Sequence, residues 1–183
     1  MTRTAVYIDG GYLKHVLDSY GKPKIDFEKF AQWACQGDTL FRAYYYDCLP
    51  YQSANPTPEE RERVSRAQQF HTALIRLNRF EVREGKLAFR GNTRNGDPIF
   101  EQKRVDLYLG IDIASLASKG KVDAMIIVAG DSDFIPAVKY ARDEGIIIRL
   151  AHGPVQTYHQ DLWDAVDERI EITEKVLRGM IRT

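Results

Sequence analysis

The sequence predicts an α/β protein with a doubly wound, mostly parallel sheet, helices on both faces and a small β-hairpin excursion. Residues 124–129 (AMIIVA) are continuously apolar, and residues 146–151 (IIIRLA) are apolar except for Arg149. Neither run alternates, which is typical of strands that are buried on both faces. A helical segment at 133–143 separates the two strands, as in a parallel βαβ unit. The short apolar run at 4–8 ends in a glycine turn and predicts a further buried strand.

The remaining elements follow from local signals. Asp26 is expected to cap a helix, and Thr57, Pro58 and Glu60 together form a helix start with a capping box. We expect further helices at 12–20, 58–78, 105–117 and 156–165, and further strands at 40–49, 80–82, 86–89, 99–100 and 169–172, before a mostly polar tail.

Length and composition favour one folded domain. The 183 residues are 44% hydrophobic, which fits a single globular unit at 1–183 with its core at about 4–172 and a hairpin flap at about 80–100. Neither a secretory signal nor a membrane helix is expected. The two cysteines, Cys35 and Cys48, lack zinc-ligand spacing and predict reduced thiols in a cytoplasmic protein.

Charge is distributed unevenly although the formal net charge is zero. Residues 61–104 hold 11 Lys/Arg against 5 Asp/Glu, so the rest of the chain sums to −6. This asymmetry is compatible with a basic surface beside an acidic site, as a nuclease needs, and equally with a solvated helix face.

Acidic residues follow two of the predicted strands. Asp9 comes directly after the first strand, and Asp131 and Asp133 come after the strand at 124–129. Because ligands bind at the carboxyl ends of strands in an open parallel sheet, we expect the three carboxylates to converge there. A single Asp-x-Asp before a helix is more often an N-cap, so the prediction rests on the coincidence of several acids.

One helix offers two further acids, Asp106 and Asp112. Six residues rotate an ideal helix by about 240°, so both cannot point straight at one small site. Asp106, nearer the helix N-terminus, is the preferred fourth ligand, and Asp112 is an additional candidate at the edge.

Carboxylates gathered in one place repel one another unless cations lie between them. Mg²⁺ and Mn²⁺ favour oxygen ligands and can activate water for phosphodiester hydrolysis. The sequence therefore predicts a Mg²⁺ or Mn²⁺ site with Asp9, Asp106, Asp131 and Asp133 as catalytic ligands. The side chains expected to contact substrate are Lys103, Arg104, Tyr12, Ser132, Arg90 and Arg94.

Three segments resemble the motifs of NYN domains, the LabA-like branch of the PIN-like nuclease superfamily. They are Tyr7-Ile8-Asp9-Gly10, Lys103-Arg104-Val105-Asp106-Leu107 and Val128-Ala129-Gly130-Asp131-Ser132-Asp133-Phe134, and the resemblance spans residues 4–172. It implies a metal-dependent endoribonuclease that cuts single-stranded or structured RNA. Asp9, Asp106, Asp131 and Asp133 match the acidic cluster of the family, and Asp112 matches a further acidic position.

Two alternatives stay open from the sequence. Many members of the family carry asparagine where this chain has Tyr12, which favours a non-catalytic RNA-binding or regulatory module. A metal-dependent phosphatase is the second alternative, although its Asp-x-Asp after the first strand is replaced here by Asp9-Gly10-Gly11. A homodimer is a further hypothesis.

Overall fold

One mixed sheet of seven strands, almost entirely parallel, organises the part of the chain that the computed structural model describes. This part comprises residues 2–93, 95 and 98–182, with the backbone alone for residues 98 and 101–103. The strand order is β4-β3-β2-β1-β5-β6-β7, and only β4 is antiparallel to its neighbour. The strands are β1 (Arg3–Asp9), β2 (Thr39–Cys48), β3 (Phe80–Asn92), β4 (Pro98–Lys103), β5 (Ala124–Val128), β6 (Ile147–His152) and β7 (Glu168–Glu171).

Helices cover both faces of the sheet and give three layers, as the apolar runs predict. They are α1 (Gly10–Asp18), α2 (Phe27–Ala34), α3 (Pro58–Ile75), α4 (Val105–Ser118), α5 (Ile135–Asp143), α6 (Gln160–Ala165) and α7 (Glu174–Arg178), with short 3₁₀ turns at Ser132–Phe134 and Val155–Thr157. Buried residues of α1, α2, α3 and α7 pack on one face of the sheet, and those of α4, α5 and α6 pack on the other. The predicted fold class is confirmed.

Capping signals in the sequence correctly predict two helix starts. The Asp26 side chain accepts hydrogen bonds from the backbone N–H groups of Glu28 and Lys29 at the start of α2. At α3, the Thr57 hydroxyl accepts from the Glu60 N–H, and the Glu60 carboxylate accepts from the Thr57 N–H. These bonds satisfy backbone donors that a helix start otherwise leaves unpaired.

The edge of the sheet differs from the prediction of three short strands. Gly85 does not end a strand, because β3 runs without a break from Phe80 to Asn92. The first half of β3 pairs with β2 in parallel, and the second half pairs with β4 in an antiparallel hairpin. The predicted flap is thus a hairpin that β4 forms with the extension of β3.

The C-terminal residues are also more ordered than a polar tail. Helix α7 buries Leu177, which is 1% exposed, and an isolated bridge pairs Ile181 with Ile25. The predicted helix at 156–165 begins as a 3₁₀ turn, and α6 covers only Gln160–Ala165. The end of the chain therefore packs against the segment that joins α1 to α2.

The order of the strands reverses direction at β1. From β1 the chain proceeds outward through β2 and β3, and it later returns to the other side of β1 at β5. Such a switch point opens a crevice at the carboxyl ends of the two central strands, which is the usual ligand site of doubly wound sheets.

Candidate metal centre

Asp9 ends β1 at this switch point and caps α1. Its Oδ1 accepts a hydrogen bond of 3.1 Å from the backbone N–H of Tyr12. Burial raises the pKa of Asp9 to about 6, the Tyr12 hydrogen bond opposes this shift, and the carboxylates of Asp106 and Asp47 add to it. Asp9 is therefore a partly desolvated acid whose charge no cation of the described chain balances.

Asp131 and Asp133 lie on the loop that follows β5. Asp131 caps the 3₁₀ turn at Ser132–Phe134 and accepts a 3.0 Å hydrogen bond from the Asp133 N–H, so the expected capping role is also present. Both side chains are nevertheless exposed to solvent. Capping uses only one carboxylate oxygen of Asp131 and leaves the other available for a further ligand.

Asp106 lies in the first turn of α4. Partial removal from water raises its pKa, and the charges of Asp131 and Asp133 raise it further. The same charge interaction links Asp106 to Asp9. Acids from three separate elements thus lie close enough to disfavour one another's ionisation, as the sequence predicts for Asp9, Asp106, Asp131 and Asp133.

The fit of these acids to a hard cation rests on their chemistry. Among the described residues, no three Asp, Glu, His or Cys side chains are close enough together to hold one metal ion. The donors are carboxylate oxygens, which suit Mg²⁺ and Mn²⁺, and the mutual repulsion is the kind that a divalent cation relieves. The residues therefore fit such an ion in type and charge.

Asp112 has different surroundings from those of Asp106. Its Oδ2 accepts a 2.9 Å hydrogen bond from the Tyr46 hydroxyl and lies 3.1 Å from Nε of Arg83. It contributes no charge effect to Asp9 or Asp106. An arginine already compensates Asp112, so we leave it out of the proposed ligand set.

Asp47, at the carboxyl end of β2, is an acid that the sequence reasoning missed. Its charge raises the pKa of Asp9, which places it beside the centre. It accepts a 2.7 Å hydrogen bond from the Cys48 N–H, and its Oδ2 lies 3.9 Å from Nε2 of the buried His71. The available signal was its position directly after three consecutive tyrosines, near the end of the predicted strand at 40–49.

Tyr12, which the sequence predicts to contact substrate, is a packing residue in the structure. Its side chain is only 8% exposed, and its hydroxyl contacts Oγ1 of Thr157 at 3.2 Å and accepts from the Gly153 N–H at 3.0 Å. A Cβ at Gly130 would lie 2.6 Å from the Tyr12 ring and 2.5 Å from the Thr157 carbonyl oxygen. The ring therefore supports the loop that carries Asp131.

The other residues that are expected to contact substrate differ in exposure and in backbone conformation. Arg104, exposed just before α4, has a left-handed backbone (φ 77°), a conformation that non-glycine residues rarely adopt and that is enriched at functional sites. Ser132 is half-buried at the 3₁₀ turn, and Arg90 is exposed on β3. Arg94 and the Lys103 side chain lie outside the described residues.

None of the helices in the described part of the chain is long and apolar enough to cross a membrane.

Comparisons with known proteins test the predicted resemblance to NYN domains. No curated protein matches the sequence. A crystal structure of a protein of unknown function from Vibrio parahaemolyticus is similar, with a TM-score of 0.62 and 22% identity over 94% of this chain and 93% of that chain. At this identity the likeness shows the α/β fold alone. The model of the NYN domain matches residues 3–173, which is nearly the whole chain, and the protein therefore belongs to the NYN domain family of the PIN-like nuclease superfamily.

Proposed function

We propose that this protein is a metal-dependent endoribonuclease that hydrolyses RNA phosphodiester bonds at the carboxyl edge of the sheet. One observation carries the proposal. Asp9, Asp106, Asp131 and Asp133 arrive from three elements at the switch point, and no arginine or lysine of the described chain pairs with any of them. Membership in a nuclease superfamily gives the reaction class.

The uncompensated acids explain the need for a cation. Raised pKa values at Asp9 and Asp106 mean that the folded chain holds negative charge where its own groups disfavour it. A divalent cation relieves this repulsion, whereas a lysine in the same place would cancel the charge permanently. We propose Asp9, Asp106, Asp131 and Asp133 as the residues that hold Mg²⁺ or Mn²⁺.

Each protein group has a defined part in the proposed reaction. When bound, the ion supplies a water of lowered pKa and neutralises charge on the phosphate. Asp131 is held by its capping hydrogen bond, and Asp9 is held by the Tyr12 N–H, so both carboxylates keep one orientation. Arg104 lies exposed two residues before Asp106, and we propose that it contacts the RNA backbone. Water attacks the phosphorus, and the bond to one ribose oxygen breaks to leave a phosphomonoester and a hydroxyl end.

The test is cleavage of a labelled mixed-sequence RNA with Mn²⁺, with Mg²⁺ and with EDTA. We expect cleavage only with metal, and a loss of at least about a hundredfold in the Asp131→Asn/Asp133→Asn variant, since metal ligation contributes several kcal/mol to such transition states. The matched control is Asp143→Asn/Glu144→Gln, which removes two exposed charges at the far end of α5.

Two outcomes would contradict the proposal. If the wild type binds RNA without cutting it under any condition, the regulatory-module alternative is favoured. Tyr12 in place of asparagine favours this alternative, as does the finding that no three metal-ligating side chains of the described residues are close enough to hold one ion. Hydrolysis of a chromogenic phosphomonoester while RNA stays intact would instead indicate the phosphatase.

A further inference from the structure

A cleft of about 660 Å³ opens directly beside the acidic centre, on the face of the sheet that carries α1, α2 and α3. It reaches the centre through Gly10, which follows Asp9, and through Asp47. Its size lies within the range of ligand sites, about 300–1,000 Å³. Of the substrate residues expected from the sequence, none of those whose side chains the structure describes lines it.

The wall of the cleft is mainly aromatic and aliphatic. Phe27, Tyr45 and Phe70 contact one another edge to face, with ring centroids 5.4 to 5.6 Å apart. Phe70 is 36% exposed, although it belongs to this cluster, and Leu74 and Leu77 of α3 continue the same wall. An aromatic ring that packs against other aromatic residues and stays partly exposed in a cleft is a suitable surface for stacking a base.

Charges around the cleft are not balanced among themselves. Lys22 lies 3.9 Å from Asp18, and Asp26 is used in capping α2. Lys14, Lys24 and Arg182 form no ion pair within the described chain, and neither do the acids Asp26 and Glu28. The fourth lining acid, Asp47, faces His71. The lining charges without an ion pair are therefore three cations against two acids.

The position of Arg182 follows from the ordered C-terminal segment. Its backbone N–H donates a 2.8 Å hydrogen bond to the Lys24 carbonyl oxygen, which holds the backbones of the two basic residues together. Lys14 lies on α1 one helical turn after Gly10, and it lines the same cleft.

We propose that this cleft binds a nucleotide of single-stranded RNA next to the one that is cut, with its base on Phe70 and its phosphates at Lys14, Lys24 and Arg182. The proposal rests on the proposed function and deepens it, because it assigns the path of the strand. An apolar wall with free cations at its rim matches a strand with flat bases and a charged backbone. A peptide partner with an apolar face would bury the wall but leave the cations unmatched.

The proposal is tested by binding rather than by cleavage. We would measure fluorescence anisotropy of a labelled RNA of about eight nucleotides in EDTA, with wild type, Phe70→Ala, Phe70→Leu and Lys14→Gln/Lys24→Gln. The control for Phe70 is Tyr140→Ala, an exposed aromatic residue on α5. The control for the lysines is Lys119→Gln/Lys121→Gln, at the opposite edge of the sheet before β5. Thermal melting confirms that each variant is folded.

Stacking and phosphate contacts give different signatures. Phe70→Ala and Phe70→Leu are expected to weaken binding by at least about fivefold and to leave its salt dependence unchanged, since leucine keeps the apolar volume but has no aromatic face. Lys14→Gln/Lys24→Gln is expected to reduce the slope of log affinity against log salt by about 1.4, for two phosphate contacts on a single strand. Both control variants should bind like the wild type.

Three results would overturn the proposal: no binding of RNA by the wild type, wild-type affinity in the Phe70 and lysine variants, or competition by a mononucleotide as strong as by the RNA itself. The last would indicate a small-molecule nucleotide site. The outcome is separate from that of the proposed function. If the wild type cuts RNA and the cleft variants bind RNA like the wild type, only the proposal for the cleft is wrong. If the cleft variants weaken RNA binding and the wild type does not cut RNA, only the proposed nuclease activity is wrong.

Discussion

Asp106 and Asp112 lie six residues apart on α4, and the protein treats the two carboxylates in opposite ways. Asp112 accepts a hydrogen bond from Tyr46 and pairs with Arg83, so its charge is balanced by groups of the chain. Asp106 has other acids as its charged neighbours, and its pKa is raised. The difference teaches that the presence of an internal cation separates a structural acid from one that is available to a metal ion.

The largest expected difference between Asp106 and Asp112 is in the stabilisation of the protein by a bound metal ion. Mn²⁺ at about a hundred times its Kd should stabilise the wild type by about 2.7 kcal/mol and raise its Tm by roughly 5 to 10 °C. Asp106→Asn should lose most of this shift, and Asp112→Asn should keep it. Differential scanning fluorimetry with and without EDTA measures both, and equal loss in the two variants would remove the distinction between the acids.

A second prediction concerns Asp9 in the absence of metal. Its pKa is raised to about 6, so its contribution to stability is fully present below the unfolded pKa near 3.9 and is lost as the pH rises through about 6. The unfolding free energy of the wild type in EDTA should fall by up to about 3 kcal/mol over this range. Asp9→Asn, which keeps the acceptor for the Tyr12 N–H, should flatten the profile.

Urea unfolding at about pH 4.5 and about pH 7 measures this difference. A wild type and an Asp9→Asn variant with parallel pH profiles would show that Asp9 is solvated like an ordinary surface acid.

Unlike Asp9→Asn, Asp112→Asn should lower the unfolding free energy at neutral pH. It removes the charge that Arg83 faces, so we expect a loss of about 1 kcal/mol of unfolding free energy. Because Arg83 also pairs with Glu81 at 2.7 Å, a double-mutant cycle with Arg83→Gln is needed to isolate the coupling. A coupling energy near zero would mean that the Asp112–Arg83 pair does not stabilise the fold.

The smallest effect is expected at His71, which is 2% exposed. Asp47 and Glu84 on either side of the imidazole raise its pKa, with Nδ1 2.7 Å from Glu84. Its stabilising contribution is therefore present below about pH 6.5 and is lost as the pH rises through the raised value. His71→Gln should remove a decline in unfolding free energy above about pH 6.5. If the decline persists in urea titrations of the variant, another group causes it.

Much of the fold and part of the site could be predicted from the sequence. Continuous apolar runs indicated the parallel strands, and local capping patterns at Asp26 and Thr57 indicated helix starts, because both signals depend on neighbours in the chain. The positions of Asp9, Asp131 and Asp133 after strands were visible for the same reason. Their use as metal ligands stays a prediction, as do the cytoplasmic location and the homodimer.

Other features were decided only by contacts between distant segments. Tyr12 follows a loop in the sequence, but its ring lies under Gly130 and its hydroxyl meets Thr157, 145 residues away. The continuity of β3 past Gly85 depends on pairing with both β2 and β4, which no local pattern reports. Asp47 lies beside Asp9 because the register of β2 against β1 pairs Asp9 with Tyr46, the residue before Asp47.

The sequence by itself determined the α/β class, the strands that end in acids and the family of the protein, because hydrophobic periodicity and short motifs are local properties. The tertiary structure decided which face of α4 has an arginine partner and which has none. It also formed the cleft beside Asp9, where Phe70 of α3, Lys14 of α1 and Arg182 near the end of the chain line one surface. Long-range packing sets which charges are compensated and which surfaces stay open, and one sequence read along its length contains no direct record of either.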